Sequence, residues 1–287
     1  MGTTLTVYGP AERFEEGQRV VENIFGREEQ RFSRFRHDSE LSRVNDRAGR
    51  WTVVSVRFRT LLRLSLDRAA QTNGAFDPTV LRAVEAAGYD RDFDDVIRAA
   101  RGRLRPPVPC GRWAEIELTD RELRLPPGVG LDLGGIAKGW TVDLAVAGAL
   151  SAGMPWVLVS AGGDLRVGGR APRLPVDVED PHDPDAPLVV LSIDRGALAT
   201  SSTARRSWGT GLHHVIDPRR GAPSRSDAEQ VTTWAPTCAE AEVRATVALL
   251  LGTRAAASAP SVIVGTDGVV HNSFAPEAGS SPDEEAA

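Results

Sequence analysis

The spacing of apolar and polar residues predicts four long helices in this chain. Apolar side chains recur every three or four positions over 11–31 and over 57–73, as on the buried face of an amphipathic helix. A glycine-containing turn over 132–135 opens a third helix that runs to about 150, and 238–251 forms a fourth, which a glycine ends. The segments between these helices lack the helical period.

Strand patterns occupy much of the remaining chain. Residues 3–8 alternate, 156–159 form an apolar run that enters a turn over 161–164, and 261–264 pairs with 269–270 as a hairpin. Because helices and strands do not alternate regularly, the pattern favours an α+β fold over a doubly wound parallel sheet.

The chain is predicted to form one domain over 1–275. A division into two closely packed subdomains near 125–150 stays open as an alternative. The stretch 102–111 is rich in proline and glycine and is predicted to be a loop. The polar end of the chain over 276–287 is predicted to be disordered.

The composition is that of an ordinary globular protein and argues against some classes of function. The chain has 287 residues, of which 41% are hydrophobic and 25% charged. Its net charge of −5 and dispersed arginines argue against nucleic-acid binding. No stretch is apolar enough for a transmembrane helix, and the start lacks the features of a signal peptide. Cys110 and Cys238 lack metal-type spacing, so we predict a reduced cytoplasmic protein.

One lysine, Lys138, stands among 34 basic residues, and the other 33 are arginines. It lies in the glycine-rich run 131–140, directly after the predicted turn. A compact ammonium beside closely spaced glycines suits a phosphate group, because the backbone can approach the oxygens while the ammonium neutralises them. An ordinary surface lysine is the alternative.

Three further patterns carry candidate chemistry. The histidine pair 213–214 precedes an Asp-Pro step, and histidine is the usual side chain for proton transfer near neutral pH. Glu242 and Thr246 lie four residues apart, on one face of the predicted helix, and such oxygen ligands suit Mg²⁺. Asp77 adds a carboxylate to a turn that also holds an aromatic residue. The alternatives are a half-buried strand for the histidines, a solvated glutamate for Glu242, and a capping side chain for Asp77.

These motifs, each weak alone, resemble one protein family in their order along nearly the whole chain. The family is the ApbE-like flavin transferases, or FAD:protein FMN transferases. The matching segments are Met1–Thr3, Phe32–Phe35, Asp38–Asn45, Gly74–Pro78, Asp132–Gly139 with Asp143, Gly162–Asp164, Ala199–Ser201, His214–Pro218, Ala241–Thr246 and Leu251–Gly252.

The resemblance implies an α+β fold of helices and antiparallel sheet around a deep FAD site, with Mg²⁺ at the diphosphate. It implies an enzyme that transfers FMN from FAD to a Thr or Ser hydroxyl of a target flavoprotein and releases AMP. Contacts with FAD are implied for Met1, Phe35, Ala75, Phe76, Asp77, Asp132, Lys138 and Ile216. The implied metal ligands are the carbonyl of Gly135 and the side chains of Glu242 and Thr246, and proton transfer is assigned to His214.

Three positions differ from the usual family pattern. Glu242 stands where Asp is usual, Ser202 where Gly is usual, and Arg220-Gly221 where Thr-Gly is usual. The longer side chain of Glu242 can displace a Mg²⁺ ligand by more than about one ångström. Two alternatives to transfer stay open: hydrolysis of FAD to FMN and AMP at the same site, and FAD binding without catalysis. The sequence does not identify the acceptor protein.

Overall fold

The computed structural model describes residues 4–98, 106–183, 185–208, 211–257 and 259–274. Met1 and the predicted disordered tail over 276–287 lie outside the described residues. The described helices are α1 (Phe14–Phe32), α2 (Glu40–Asp46), α3 (Val56–Gln71), α4 (Leu81–Ala86), α5 (Phe93–Arg98), α6 (Ala137–Ser151) and α7 (Cys238–Leu251), with short 3-10 helices at Trp113–Glu115 and Thr253–Ala257.

The strands of the described chain form one large sheet and three small ones. They are β1 (Leu5–Tyr8), β2 (Thr52–Val53), β3 (Glu117–Leu118), β4 (Glu122–Arg124), β5 (Trp156–Ala161), β6 (Asp164–Gly169), β7 (Leu174–Glu179), β8 (Pro187–Ile193), β9 (Gly196–Ser202), β10 (Ile216–Asp217), β11 (Ala222–Pro223), β12 (Ala228–Ala235), β13 (Ser261–Gly265) and β14 (Val270–Asn272). The large sheet has the order β1-β5-β6-β9-β12-β13-β14, and its neighbouring strands are antiparallel. The small sheets are β2-β4-β3, β7-β8 and β10-β11. This arrangement confirms the predicted α+β class with antiparallel strands.

The large sheet is covered on both faces, as the alternation along β5 shows. Val157 and Val159 belong to a buried cluster with residues of α1, α6 and α7. Leu158, on the opposite face, packs with Val178 and Leu191 of the β7-β8 hairpin. Successive side chains of a strand point to opposite faces, so a central strand needs apolar residues at consecutive positions. The apolar run in β5 is therefore explained by its place between two layers.

A second core joins α2 and α3 to the small sheet β2-β4-β3. Phe58, Leu61 and Leu62 of α3 are fully buried there, with Leu123 of β4. Val243 of α7 belongs to the same cluster, so α7 contacts both this core and the large sheet. The predicted division near 125–150 stays a prediction.

The periodic patterns located the long elements correctly. The four predicted helices correspond to α1, α3, α6 and α7, with small shifts at their ends. Helix α3 stops where Asn73 and Gly74 take left-handed φ angles of 50° and 75°. Helices α2, α4 and α5 were not predicted, because six or seven residues are too few to establish a helical period. Among the described helices none has the length and apolarity to cross a membrane.

Helices α6 and α7 meet at their N-terminal ends with no side chain between their backbones. A methyl group at Gly139 would lie 2.5 Å from the carbonyl oxygen of Cys238 and 2.7 Å from the nitrogen of Ala239. One turn further along α6, the Asp143 carboxylate accepts hydrogen bonds from the N–H groups of Cys238 (2.8 Å) and Ala239 (3.0 Å). Asp143 thereby satisfies donors that a helix start leaves unpaired.

We expect Gly139→Ala to lower the free energy of unfolding by about 1–3 kcal/mol, because the new methyl group meets backbone atoms that cannot turn aside. The matched control is Gly26→Ala in α1, where the position is exposed and a methyl group meets nothing within 4 Å. There alanine should stabilise the helix by up to about 1 kcal/mol. Urea denaturation of both variants measures the difference. Equal stability of the two variants would contradict the close contact at Gly139.

Candidate functional site

A cavity of about 820 Å³ opens in this fold. Its walls come from the large sheet, from α6 and α7, and from the segments 32–35, 75–89, 205–206 and 214–218. The volume lies in the usual range for sites that bury a cofactor or small molecule. The loops and helix ends that the sequence motifs occupy therefore meet around one space.

Lys138, Asp164 and Glu242 form the polar centre of this cavity. The Lys138 ammonium donates a hydrogen bond to Asp164 Oδ2 and lies 3.6 Å from Glu242 Oε1. Asp164 is 1% exposed and Glu242 5% exposed, so bulk water does not solvate either carboxylate well. Burial raises the pKa of the Glu242 carboxyl, and the neighbouring ammonium opposes that shift. The lysine is thus an internal counterion for two buried acids.

The contact between α6 and α7 positions the polar centre. Lys138 lies in the first turn of α6, and the N–H of the next residue, Gly139, donates to Glu242 Oε2 at 2.8 Å. Asp164 begins β6, and its Oδ1 accepts a hydrogen bond from the Thr200 N–H of β9 at 3.2 Å. Two helices and two strands therefore fix these three side chains.

Two of the predicted metal ligands, Gly135 and Thr246, line the same cavity as the third, Glu242, which belongs to the polar centre. The Thr246 hydroxyl is 3.2 Å from the Ser201 hydroxyl, and both line the cavity with Glu242. A methyl group at Gly135 would lie 4.0 Å from Thr246 Oγ1, so the turn before α6 reaches the same wall. A carbonyl, a carboxylate and hydroxyls are hard oxygen donors of the kind that Mg²⁺ prefers.

The donor set fits Mg²⁺ in chemical type. Within the described ranges, no three side chains of the His, Cys, Asp and Glu types gather as a metal cluster. A cation at this wall would therefore use backbone carbonyl and hydroxyl oxygens besides Glu242, and Mg²⁺ commonly adds water and phosphate oxygens. One Glu242 oxygen already accepts the Gly139 N–H, which leaves the other facing Lys138.

The residues predicted to contact FAD also lie on the cavity walls, apart from Met1, which is outside the described residues. Those on the walls are Phe35, Ala75, Phe76, Asp77, Asp132, Lys138 and Ile216. The structure therefore gathers side chains separated by as many as 181 positions in the sequence, from Phe35 to Ile216. Their contacts with FAD stay predictions.

Asp77 is held by its own loop. Its Oδ1 accepts hydrogen bonds from the Thr79 N–H at 2.7 Å and the Thr79 hydroxyl at 2.6 Å, and its Oδ2 accepts from the Gly111 N–H at 2.6 Å. The carboxylate thus joins the turn after α3 to Gly111, in the described part (106–111) of the stretch that was predicted to be a loop. The capping role considered as the alternative is present, and the residue borders the cavity as well.

Of the two histidines, only His214 lies on the cavity wall. Burial of its ring, with the positive charge of Arg206 nearby, lowers its pKa to about 3. The imidazole is therefore neutral at pH 7, and within the described structure its Nδ1 has no hydrogen-bond partner. His213 is buried beside the backbone, with Nε2 3.2 Å from the Ser224 carbonyl oxygen. The site can thus offer one neutral imidazole.

Two cavity residues had no signal in the sequence. Arg34 lies within a matching motif, and Arg206 follows another arginine, but neither has a spacing that separates it from the other arginines of the chain. In the structure both line the cavity. Asp164 was visible as a turn residue and within the matching segment Gly162–Asp164, but its pairing with Lys138 was not, because the two residues are 26 positions apart.

We expect the free energy of unfolding to fall as the pH is lowered from about 6.5 towards 3, in part because of His214. The unfolded histidine has a pKa near 6.5, whereas burial holds the folded value at about 3. Between these values the unfolded state binds more protons, so stability is lost as the pH falls. His214→Gln should reduce the slope by up to about 1.4 kcal/mol per pH unit.

Urea denaturation at several pH values between 4 and 7 measures the slope. The exposed His37 supplies the control variant His37→Gln. Indistinguishable slopes for the parent and His214→Gln would show that His214 is solvated.

Comparisons with known proteins identify the family of this chain. The model of the ApbE family matches residues 1–261. An FAD:protein FMN transferase of Treponema pallidum is 30% identical over 271 residues, which cover 85% of this chain and 73% of that protein. The Escherichia coli K12 protein of the same name is 28% identical over 84% of this chain and 73% of its own length.

Solved structures show the same fold. The crystal structure of the ApbE protein of Thermotoga maritima superposes with a TM-score of 0.80 at 25% identity, over 94% of both chains. The flavin transferase ApbE of Vibrio cholerae superposes with a TM-score of 0.73 at 25% identity, over 94% of this chain and 93% of its own. From its sequence profile, its relatives and its fold, this chain belongs to the ApbE family.

Proposed function

We propose that this protein is an FAD:protein FMN transferase, which moves FMN from FAD to a Thr or Ser hydroxyl of a target flavoprotein and releases AMP. The observation that carries the proposal is the polar centre, placed in a cavity of about 820 Å³. Family membership and the relatives named above support the same activity. The proposal specifies the acceptor by its reacting group, a Thr or Ser hydroxyl of a flavoprotein.

The cavity has the two kinds of wall that a flavin dinucleotide needs. Phe35 and Phe76 offer aromatic surface for planar rings, while Lys138 offers a single positive charge. Transfer breaks the bond between the FMN phosphorus and the AMP oxygen, so negative charge grows on the departing phosphate. A cation fixed beside that oxygen stabilises the transition state more than the ground state.

Mg²⁺ is part of the proposal, with Gly135, Glu242 and Thr246 as the residues that would hold it. When bound, it would neutralise charge on the diphosphate. The support from this structure is the set of oxygen donors on one wall and the burial of Glu242.

His214 would take the proton of the acceptor hydroxyl as that oxygen attacks the FMN phosphorus. Its neutral ring can accept a proton, although a pKa of about 3 makes the free site a weak base. A bound diphosphate would place negative charge in the cavity and raise the pKa of His214, because nearby opposite charge favours the protonated form. Bound FAD would then make His214 a stronger base for the proton of the acceptor hydroxyl.

We expect covalent FMN on an acceptor domain incubated with the protein, FAD and Mg²⁺, detected by flavin fluorescence in a denaturing gel. Free FMN and AMP without labelled acceptor would instead indicate a hydrolase. Unchanged FAD would indicate a protein that only binds it.

His214→Ala should slow transfer by about 10²–10⁴ while FAD still binds, since loss of a general base removes little ground-state contact. The control is His213→Ala, which removes the neighbouring imidazole that lies outside the cavity lining. The His213→Ala substitution should lower the free energy of unfolding, while the protein that remains folded transfers FMN at the parental rate. Equal loss of transfer in both variants would argue against a base role for His214.

We expect Glu242→Gln to raise the Mg²⁺ concentration needed for half-maximal transfer by roughly tenfold or more, because the amide keeps the size of the side chain but loses the charge that attracts the cation. The control Glu240→Gln changes an acid on the same helix that pairs with Arg244. Titration of Mg²⁺ for the three proteins decides the matter. If Glu242→Gln follows the parent curve, Glu242 does not bind the metal.

A further inference from the structure

Arg34 is a nearly buried cation that is fixed on several sides. Its side chain is 10% exposed. Its Nε lies 3.2 Å from Asp132 Oδ2, and its Nη1 donates to the Tyr89 carbonyl oxygen at 2.8 Å. The guanidinium carbon is 4.1 Å from the ring centre of Phe35 and 4.3 Å from that of Tyr89. An arginine held between two aromatic rings and a carboxylate loses most of its freedom before any ligand arrives.

One donor of this fixed group is unused. Nη2 is buried, and within the described residues it has no hydrogen-bond partner. Arg34 lines the cavity together with both of its aromatic neighbours. A buried N–H without a partner is unfavourable, so such a group marks a place where a ligand atom completes the hydrogen bonding.

The surroundings of Nη2 favour a neutral acceptor over a phosphate. Asp132 already balances the charge of the guanidinium. The rings of Phe35 and Tyr89, which contact the guanidinium, line the cavity, and Val84 belongs to the same apolar cluster as Tyr89. An acceptor atom on the edge of a planar ring meets both demands, because the ring covers the aromatic wall while its edge reaches Nη2.

We propose that Arg34 is a specificity-determining residue, whose Nη2 donates a hydrogen bond to an acceptor atom on the edge of a planar heteroaromatic ring of the bound dinucleotide. The inference rests on the proposed function, because it takes FAD as the ligand. FAD has two such heteroaromatic ring systems: the isoalloxazine, whose carbonyl oxygens are acceptors, and the adenine, whose ring nitrogens are acceptors. Either ring satisfies the chemistry, and binding measurements tell them apart.

The experiment uses Arg34→Lys and Arg34→Met. Lysine retains a charge for Asp132 but lacks the planar fork, and methionine retains apolar volume without any donor. The matched control is Arg31→Lys, because Arg31 also pairs with carboxylates and lies near a phenylalanine ring but does not line the cavity. Thermal denaturation confirms that each variant is folded. Calorimetry then gives dissociation constants for FAD, riboflavin and ADP.

We expect both Arg34 variants to bind FAD about tenfold more weakly or worse than the parent, as befits loss of a buried hydrogen bond. Of the two smaller ligands, riboflavin and ADP, one should bind more weakly by a similar factor, while the dissociation constant of the other stays within about twofold of the parental value. Loss confined to riboflavin places the isoalloxazine at Arg34, and loss confined to ADP places the adenine there. Arg31→Lys should bind all three ligands like the parent.

The proposal is overturned if a folded Arg34→Lys or Arg34→Met binds FAD like the parent, or if riboflavin and ADP weaken equally, which would indicate a general structural effect. Its failure can be told from failure of the proposed function. If the parent protein binds FAD and labels an acceptor while the Arg34 variants bind FAD normally, the proposed transferase function stands and the inference on Arg34 is wrong. If the parent protein binds no FAD, both proposals are wrong.

Discussion

The close contact of α6 and α7 at Gly139 is the constraint on which the site depends. With no side chain at this position, the backbone of α7 can lie against α6, and the Gly139 N–H can reach the Glu242 carboxylate at 2.8 Å. The same contact lets Asp143 cap the start of α7. Because Lys138 and Glu242 are carried by these two helices, any increase in the helix separation would move the ammonium away from the acid.

The polar centre also explains why the single lysine stands where it does. Two carboxylates that are 1% and 5% exposed need a compensating charge, and Lys138 supplies it from the first turn of α6. A guanidinium is larger and planar, with donors fixed in a fork, so an arginine would not reproduce the compact point charge of the ammonium. One ammonium beside two carboxylates leaves a net negative charge when all three ionise, which suits a site that attracts a further cation.

The structure shows how a glutamate is held at the position where the resemblance to the family implies aspartate. One oxygen of Glu242 accepts a hydrogen bond from the Gly139 N–H, while the other faces Lys138. The carboxylate is therefore fixed by the helix contact, although its stem is longer and more flexible. Burial raises the pKa of Glu242, and the ammonium and the backbone donor favour its ionised form.

The sequence by itself determined the long elements, the antiparallel α+β class and the residues of the motifs. Periodicity is a local property, so α1, α3, α6, α7 and the closing hairpin could be read from their own residues. The tertiary structure alone decided which side chains meet. It paired Lys138 of α6 with Asp164 of β6, placed His214 on the cavity and His213 against the backbone, and left one donor of Arg34 without a partner among the described residues. These outcomes depend on contacts between distant segments, and no short stretch of sequence contains them.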